Sequence, residues 1–433
     1  MLSTLFNAVR EKDIRKKLGW TILILFVYRI GIHITVPGVN PAAMNSMASN
    51  GLLNILNIFS GGGLLNFSLF AMGVSPYVTA QIVVQLLQLD IVPRFVEWSK
   101  QGEVGRRKLN NATRWLTIVF AFLQSIGITA GFNSLSAYGL VKQTNNVMSF
   151  VIIGAIMTIG TFFAVWLGEM ITEKGLGNGV SMIIFAGIIS QIPDGLYEIY
   201  KENVLQAGSQ SDLITGWVFT AVIIAAIILV VGITTWFYEA TRRLQIQYTR
   251  SAASYGSEAY LPLKLNVSGV IPVIFASSFI STPQTILFAF QDKFGTAQWY
   301  KVLQQVFSMT TVSGAIFYTV LIIIFTYFYA FVQVNPEKLA ENLQKQGAYI
   351  VNVRPGLETQ KFITAMLLHL SFVGALFLGF VALVPLIASD VWGLNEKIGL
   401  GGTSLLITIG VTLDLIRQIE GLIQKKNYVG FIQ

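Results

Sequence analysis

Not one cysteine occurs in the 433 residues of this chain, which excludes structural disulfides and every metal site built on thiolates. Histidine is almost as rare: His33 and His369 lack the neighbours of a zinc site and read as ordinary interfacial or packed side chains. Charge is scarce too, at 12% of residues against 54% hydrophobic, too little polar surface to cover a soluble globule of this size. No Ser-His-Asp set, intramembrane carboxylate pair or His-x-x-x-His is found. The stretch KQGEVGRRKLNNATR lacks P-loop spacing, and the glycine-rich EKGLGNGVS (173–181) follows no strand, so neither marks a nucleotide site. An enzyme is not expected, and no cofactor or metal is implied.

What the chain has in abundance is long apolar runs. Ten approach the roughly 20 residues needed to cross a bilayer: 18–36, 73–91, 114–132, 148–168, 179–194, 214–238, 267–290, 312–333, 363–386 and 402–421. Of the 29 Lys and Arg, only Lys142, Lys201, Lys293, Lys301 and Lys397 fall in loops on one side, with Arg29 inside the first run. The excess on the other side places both termini in the cytoplasm and largely explains the net charge of +8. The first run is long and lacks a small-residue cleavage site, so it reads as an uncleaved helix. Three polar cytoplasmic loops, 92–113, 239–266 and 334–362, exceed the usual connection length, which suggests a docking surface for a soluble partner.

Two features interrupt this regularity. The stretch FSGGGLLNFSLFAMGVSPYV (59–78) breaks its own helix twice, at three consecutive glycines and at Pro76. The motif Gly-Val-x-Pro also opens the second and the seventh runs, at Gly73–Pro76 and Gly269–Pro272. Five helices per half place two such halves in opposite orientations, the pattern of an inverted repeat (1–200 and 212–425) with its pathway between the halves. Ionisable groups in or near the spans are few: Arg29, Asp414, Arg417 and Glu420 besides the histidines, with Asp414 and Arg417 spaced to pair along one helix face. Val74 with Val78, and Val180 with Ile184, each share a helix face that could meet lipid, core or a pathway. These features leave open a secondary transporter or a membrane scaffold.

The letters then become specific. SLFAMGVSPYVTAQIVVQLL (68–87) and WLGEMITEKGLGNGVSMII (166–184) resemble the signature stretches of the bacterial SecY family of protein-conducting channels. FSGGGL, GEVGRRK, LPLKLNVSGVIPVIFASS (261–278), NPEKLAENLQKQGAYIVNVRPG (335–356) and GGTSLLI (401–407) extend the likeness along the whole chain. The resemblance implies an all-α polytopic protein of ten transmembrane helices in two inverted halves. A short plug helix at about 57–70 would lie between the first two, containing Phe59, Ser60, Gly61, Gly62, Gly63, Leu64, Leu65 and Phe67. It implies an apolar pore ring of Val74, Val78, Val180, Ile184, Ile274 and Ile407. A lateral gate towards lipid would set spans two and three against seven and eight, with Gln85 and Ser277 as polar contacts. Arg242 and Arg243 match a ribosome-contacting loop, and Arg354 matches an arginine used with the SecA motor. The implied function is passage of unfolded secretory precursors across the bacterial plasma membrane and sideways release of transmembrane segments into lipid. SecA or a translating ribosome would supply the push, and SecE and SecG would be the membrane partners.

Overall fold

The computed structural model describes residues 11–39, 57, 60–64, 66–88, 92–135, 141, 147–205, 210–248, 259–309, 311–392 and 402–429. Its long helices are α1 (Lys12–Ile32), α2 (Ser75–Leu87), α4 (Gly102–Leu135), α5 (Val147–Lys174), α6 (Gly179–Tyr200), α7 (Gln210–Glu239), α8 (Ile271–Ala289), α11 (Val312–Gln333), α13 (Leu357–Trp392) and α14 (Gly402–Val429). Each coincides with one of the ten apolar runs. Among the described residues, seven helices are long and apolar enough to cross a membrane. The other three are α1, which starts with Lys12, Arg15, Lys16 and Lys17, the 13-residue α2, and α14, whose C-terminal part is polar.

Hydroxyls inside these helices are satisfied locally. Thr117, Thr158, Thr234 and Thr326 each donate to the carbonyl four residues back, at 2.6–2.7 Å, so threonine is tolerated in apolar surroundings. α7 keeps Trp217, Ile228, Leu229 and Trp236 more than half exposed, a face suited to lipid. The largest core cluster joins residues of α1, α2, α5, α6, α8, α11, α13 and α14, together with Tyr238 near the end of α7.

The polar loops are more ordered than their sequences announce. Residues 92–113 form the short amphipathic helix α3 (Pro93–Lys100) and the first turns of α4, not an extended loop. At about 1.5 Å per residue, the 34 residues of α4 measure about 51 Å, well beyond the hydrocarbon thickness. The other two loops join in one antiparallel sheet of order β2-β1-β3, from β1 (Thr241–Tyr248), β2 (Ala259–Lys264) and β3 (Ala348–Ile350). Its registers run Thr241 to Lys264 and Ile246 to Ile350. Alternation buries Leu244 and Ile246, the latter against Leu343, Ile350, Ile363 and Leu367 of α12 (Pro336–Lys345), β3 and α13. This sheet is the one β element beside an otherwise helical architecture among the described residues.

Of the expected plug helix at about 57–70, Asn57 is helical and the described residues that follow are not. Residues 60–64 and 66–70 are successive turns with one bridge, Thr35 to Ser68. Gly61 (φ 67°), Gly62 (φ 93°) and Phe67 (φ 43°) lie in the left-handed region, which a right-handed helix cannot accommodate. Phe59 and Leu65 lie outside the described residues.

Candidate functional site

Two helix starts set the geometry of the centre. Gly73 (φ 54°) and Gly269 (φ 65°) both turn left-handed; Val74 and Val270 both occupy the cap position, and Pro76 and Pro272 both enter the first turn. The repeated Gly-Val-x-Pro letters therefore build the same local structure twice. Proline costs no hydrogen bond there, because a first-turn N–H has no intrahelical acceptor. α6 is opened differently: the Asn178 side chain accepts from the N–H groups of Val180 and Ser181, at 3.1 and 3.4 Å.

These starts place the six aliphatic residues in or against the same apolar core. Val74, Val78, Ile184, Ile274 and Ile407, from α2, α6, α8 and α14, belong to one buried cluster, and Val180 packs against it half-buried. Val74 and Ile407 are 0% exposed. All six side chains are hydrocarbon, so the cluster offers an ion no charge or carbonyl to replace its hydration shell.

The turns at 60–70 are fastened to α1 and α6. Arg29 Nη1 donates to the Gly61 carbonyl at 2.8 Å and to Ser190 Oγ at 3.0 Å. Gln191 Nε2 donates to the Asn57 carbonyl at 3.1 Å, and Ser190 Oγ donates to the Gly187 carbonyl at 2.7 Å. Within the segment, Ser60 Oγ accepts from the Leu64 N–H at 3.0 Å and donates to the Asn57 carbonyl at 3.0 Å. Gly61 lies so near Gly187 that a side chain there would press on its backbone. Phe70 stacks on Tyr28 with centroids 5.2 Å apart and fills the space beside Gly31. Arg29 is conspicuous in the sequence as a charge inside an apolar run, but nothing there pairs it with a loop 32 residues away.

The seam between α2, α4 and α8 is held by different groups from those expected. Ser277 Oγ donates to the Ile274 carbonyl of its own helix, and Gln85 Oε1 is buried without a hydrogen-bond partner, so neither bridges. Thr282 Oγ1 lies 3.1 Å from Thr79 Oγ1 of α2 and accepts from Gln124 Nε2 of α4 at 2.7 Å. The signal for this seam is the hydroxyl stripe Ser277, Ser278, Ser281, Thr282 and Thr285 along an apolar helix. A small hollow beside it is lined by Leu64, Met72, Ser75, Gln124, Ser281 and Thr285.

At the sheet end, Arg242 and Arg243 on β1 and Arg354 after β3 are all exposed. The β1–β3 pairing draws the loops that carry them into one sheet. Thr359 Oγ1 donates to the Arg354 carbonyl at 2.8 Å, fixing the turn into α13. Asp414 and Arg417 do not pair with each other. Asp414 faces Lys264 at 3.9 Å, and Arg417 Nη2 donates to the Tyr238 carbonyl at 2.8 Å, because β2 and the end of α7 pack closer than the next helical turn. His369 bonds the Ala365 carbonyl of its own helix and His33 caps α1; no metal-binding group of three or more ligands occurs among the described residues.

An apolar centre to which α2, α6, α8 and α14 contribute, a turn-built segment fastened to α1 and α6 and a sheet carrying exposed arginines define a polytopic helical protein. The fold supports this: the chain is similar to a solved structure described as a protein conducting channel (TM-score 0.66, 18% identity, 94% of this chain and 92% of that one). It is similar also to Sec61 in the canine ribosome-channel complex (TM-score 0.60, 18% identity, with the same coverage). The SecY family matches residues 68–416. Protein translocase subunit SecY 1 of Lactobacillus kefiranofaciens is 60% identical over 433 residues, all of both chains. Protein translocase subunit SecY of Bacillus subtilis is 47% identical, again over the full length of both. The chain belongs to the SecY family of protein-conducting channels, which are pores and not enzymes.

Proposed function

We propose that the chain works as a passive conduit in the bacterial plasma membrane, with ten transmembrane helices in two inverted halves, 1–200 and 212–425, and both termini cytoplasmic. Val74, Val78, Val180, Ile184, Ile274 and Ile407 form the constriction that an unfolded precursor passes through. The segment around 57–70 is the stopper, displaced when a signal helix enters at the α2/α4 against α8/α11 seam, which also releases transmembrane segments into lipid. SecE and SecG are its membrane partners. SecA acts through Arg354, and a ribosome docks on Arg242 and Arg243, whose exposed guanidinium groups suit RNA phosphates.

The observation that carries this reading is that Val74, Val78, Ile184, Ile274 and Ile407, from α2, α6, α8 and α14, share one buried apolar cluster. A small-solute transporter needs polar or charged groups converging at that point, and the six side chains supply none. The chain has no native cysteine, which makes the test direct. An Ile407→Cys variant is expected to form a disulfide with a cysteine in the middle of a stalled secretory precursor, whereas Ile228→Cys on the lipid-facing side of α7 is not. Equal yields at both positions, with the precursor demonstrably engaged, would remove the constriction assignment.

A further inference from the structure

Between α8 and α11 the chain forms the short α9 (Gln291–Phe294) and then the ten-residue α10 (Gln298–Phe307), at the end of the bundle away from the sheet. The side chains of α10 divide into three stripes. One faces protein: Tyr300 is 1% exposed and donates its hydroxyl to the Leu287 carbonyl of α8 at 2.8 Å, while Phe307 meets Phe317 of α11 edge-on, with centroids 5.6 Å apart. A second is polar and exposed: Gln298, Lys301 and Gln305. The third is apolar: Trp299 and Val302 are 53% and 52% exposed, Leu303 is 38% exposed and Val306 is half-buried. At 3.6 residues per turn these four positions span an arc of about 100°.

Among the described residues, neither water nor the rest of the protein accounts for the third stripe. Water would favour polar residues there, and the helix already meets its own protein through the stripe next to it. An apolar stripe lying between a protein-facing and a water-facing one is the arrangement of a helix lying along the boundary of a bilayer. The surroundings continue the pattern. Phe294 packs on Trp299 at 5.4 Å and Phe290 on Phe294 at 6.2 Å, all three exposed. Ile286 on α8 and Val312 and Ile316 on α11 carry the apolar surface on to the flanks of the spans either side. Trp and Tyr favour the headgroup level, and Lys293 and Lys301 have stems long enough to reach phosphates.

We propose that α10 is a lipid-binding element, lying in the headgroup–acyl boundary of the leaflet away from the sheet with Trp299, Val302, Leu303 and Val306 in lipid. Through Tyr300 it ties the far end of α8, which carries Ile274 and Thr282, to that leaflet.

The test uses the full chain, purified with its membrane partners, in vesicles of phosphatidylcholine and phosphatidylglycerol. Single cysteines at Val302→Cys, Leu303→Cys, Lys301→Cys and Gln305→Cys carry a small fluorophore. Positions 302 and 303 are expected to lose emission to a lipid with a nitroxide high on its acyl chain and to be protected from aqueous iodide, with 301 and 305 behaving the opposite way. Iodide quenching at all four would place the stripe in water; protection from both quenchers at 302 and 303 would place it under a protein. Either overturns the proposal. Should labelling disturb the helix, brominated lipid on the unlabelled protein decides. The emission lost in Trp299→Phe is expected to be the lipid-quenched part, and an unquenched difference again overturns the proposal.

Discussion

Replacing Arg29 by methionine removes the guanidinium that fastens the proposed stopper through the Gly61 carbonyl. Nη1 donates to the Gly61 carbonyl and to Ser190 Oγ, and hydrogen bonds to a charged group contribute about 1.5–3 kcal/mol each. Ser190 keeps its bond to Gly187, so the larger part of the loss falls on Gly61, the residue that belongs to the stopper. An arginine in a span also costs about 2.5–3.5 kcal/mol to insert, but that cost is borne with the stopper seated or displaced and cancels from the difference. About 2 kcal/mol of preference for the seated state remains at stake, which corresponds to about a 30-fold change in the seated-to-displaced ratio.

The measurement is resting ion conductance of the assembled channel in planar bilayers, with no precursor present. Arg29→Met is expected to open transiently and often, Arg29→Lys less so because an ammonium retains the charge but has a shorter reach, and Ser190→Ala least. A channel lacking residues 60–64 sets the upper limit. Arg29→Met conductance equal to that of the native chain, beside a leaking deletion, would refute the clamp while leaving the stopper intact.

Two further outcomes concern the contacts at the seam and the sheet. Thr282→Val removes the partner of both Thr79 and Gln124 and leaves the Gln124 amide buried and unpaired, at a cost of about 1–3 kcal/mol to the closed seam. Transport of a precursor with a weakened signal sequence should rise, and an unchanged requirement for the signal would show that the seam does not part there. Reversing charge with Arg242→Glu and Arg243→Glu should weaken ribosome binding and flatten its dependence on salt, since fewer phosphate contacts release fewer counterions. Retained affinity with an unchanged salt slope would show that these side chains touch no RNA.

Hydrophobic run length located every long helix, because about 20 apolar residues in a row have few alternatives to spanning. The same criterion missed α3 and the extension of α4, which are polar, and it missed the sheet. β1 and β3 are about a hundred residues apart and pair through backbone groups that carry no sequence signature. The triple glycine did announce a break in the helix, but not that two of its members would turn left-handed. Gln85 and Ser277 illustrate the limit for side chains. Both lie on the right helices, yet a rotation of one helical position decides whether a hydroxyl faces its neighbour or its own backbone, and packing sets that rotation. Thr282 faces across; Ser277 does not.

On the proposed function, the closed state is held by two kinds of contact that differ in what they ask of a precursor. The six side chains of the proposed constriction are all hydrocarbon, and hydrocarbon contact has no direction, so an extended chain that displaces them meets side chains able to rearrange around any sequence. The fastening contacts are directional: Arg29 and Gln191 hold the proposed stopper at the Gly61 and Asn57 carbonyls, and Thr79, Gln124 and Thr282 join α2, α4 and α8. Breaking them requires something that separates α2 and α4 from α8, and an apolar helix lying in the seam does so by replacing one helix contact with another. Selectivity for a signal helix can therefore reside in a few hydrogen bonds of about 1 kcal/mol each, while the constriction stays indifferent to the sequence of the chain drawn through behind it. A polar constriction would discriminate between segments of the passing chain, and an entirely apolar seam would set no threshold for opening.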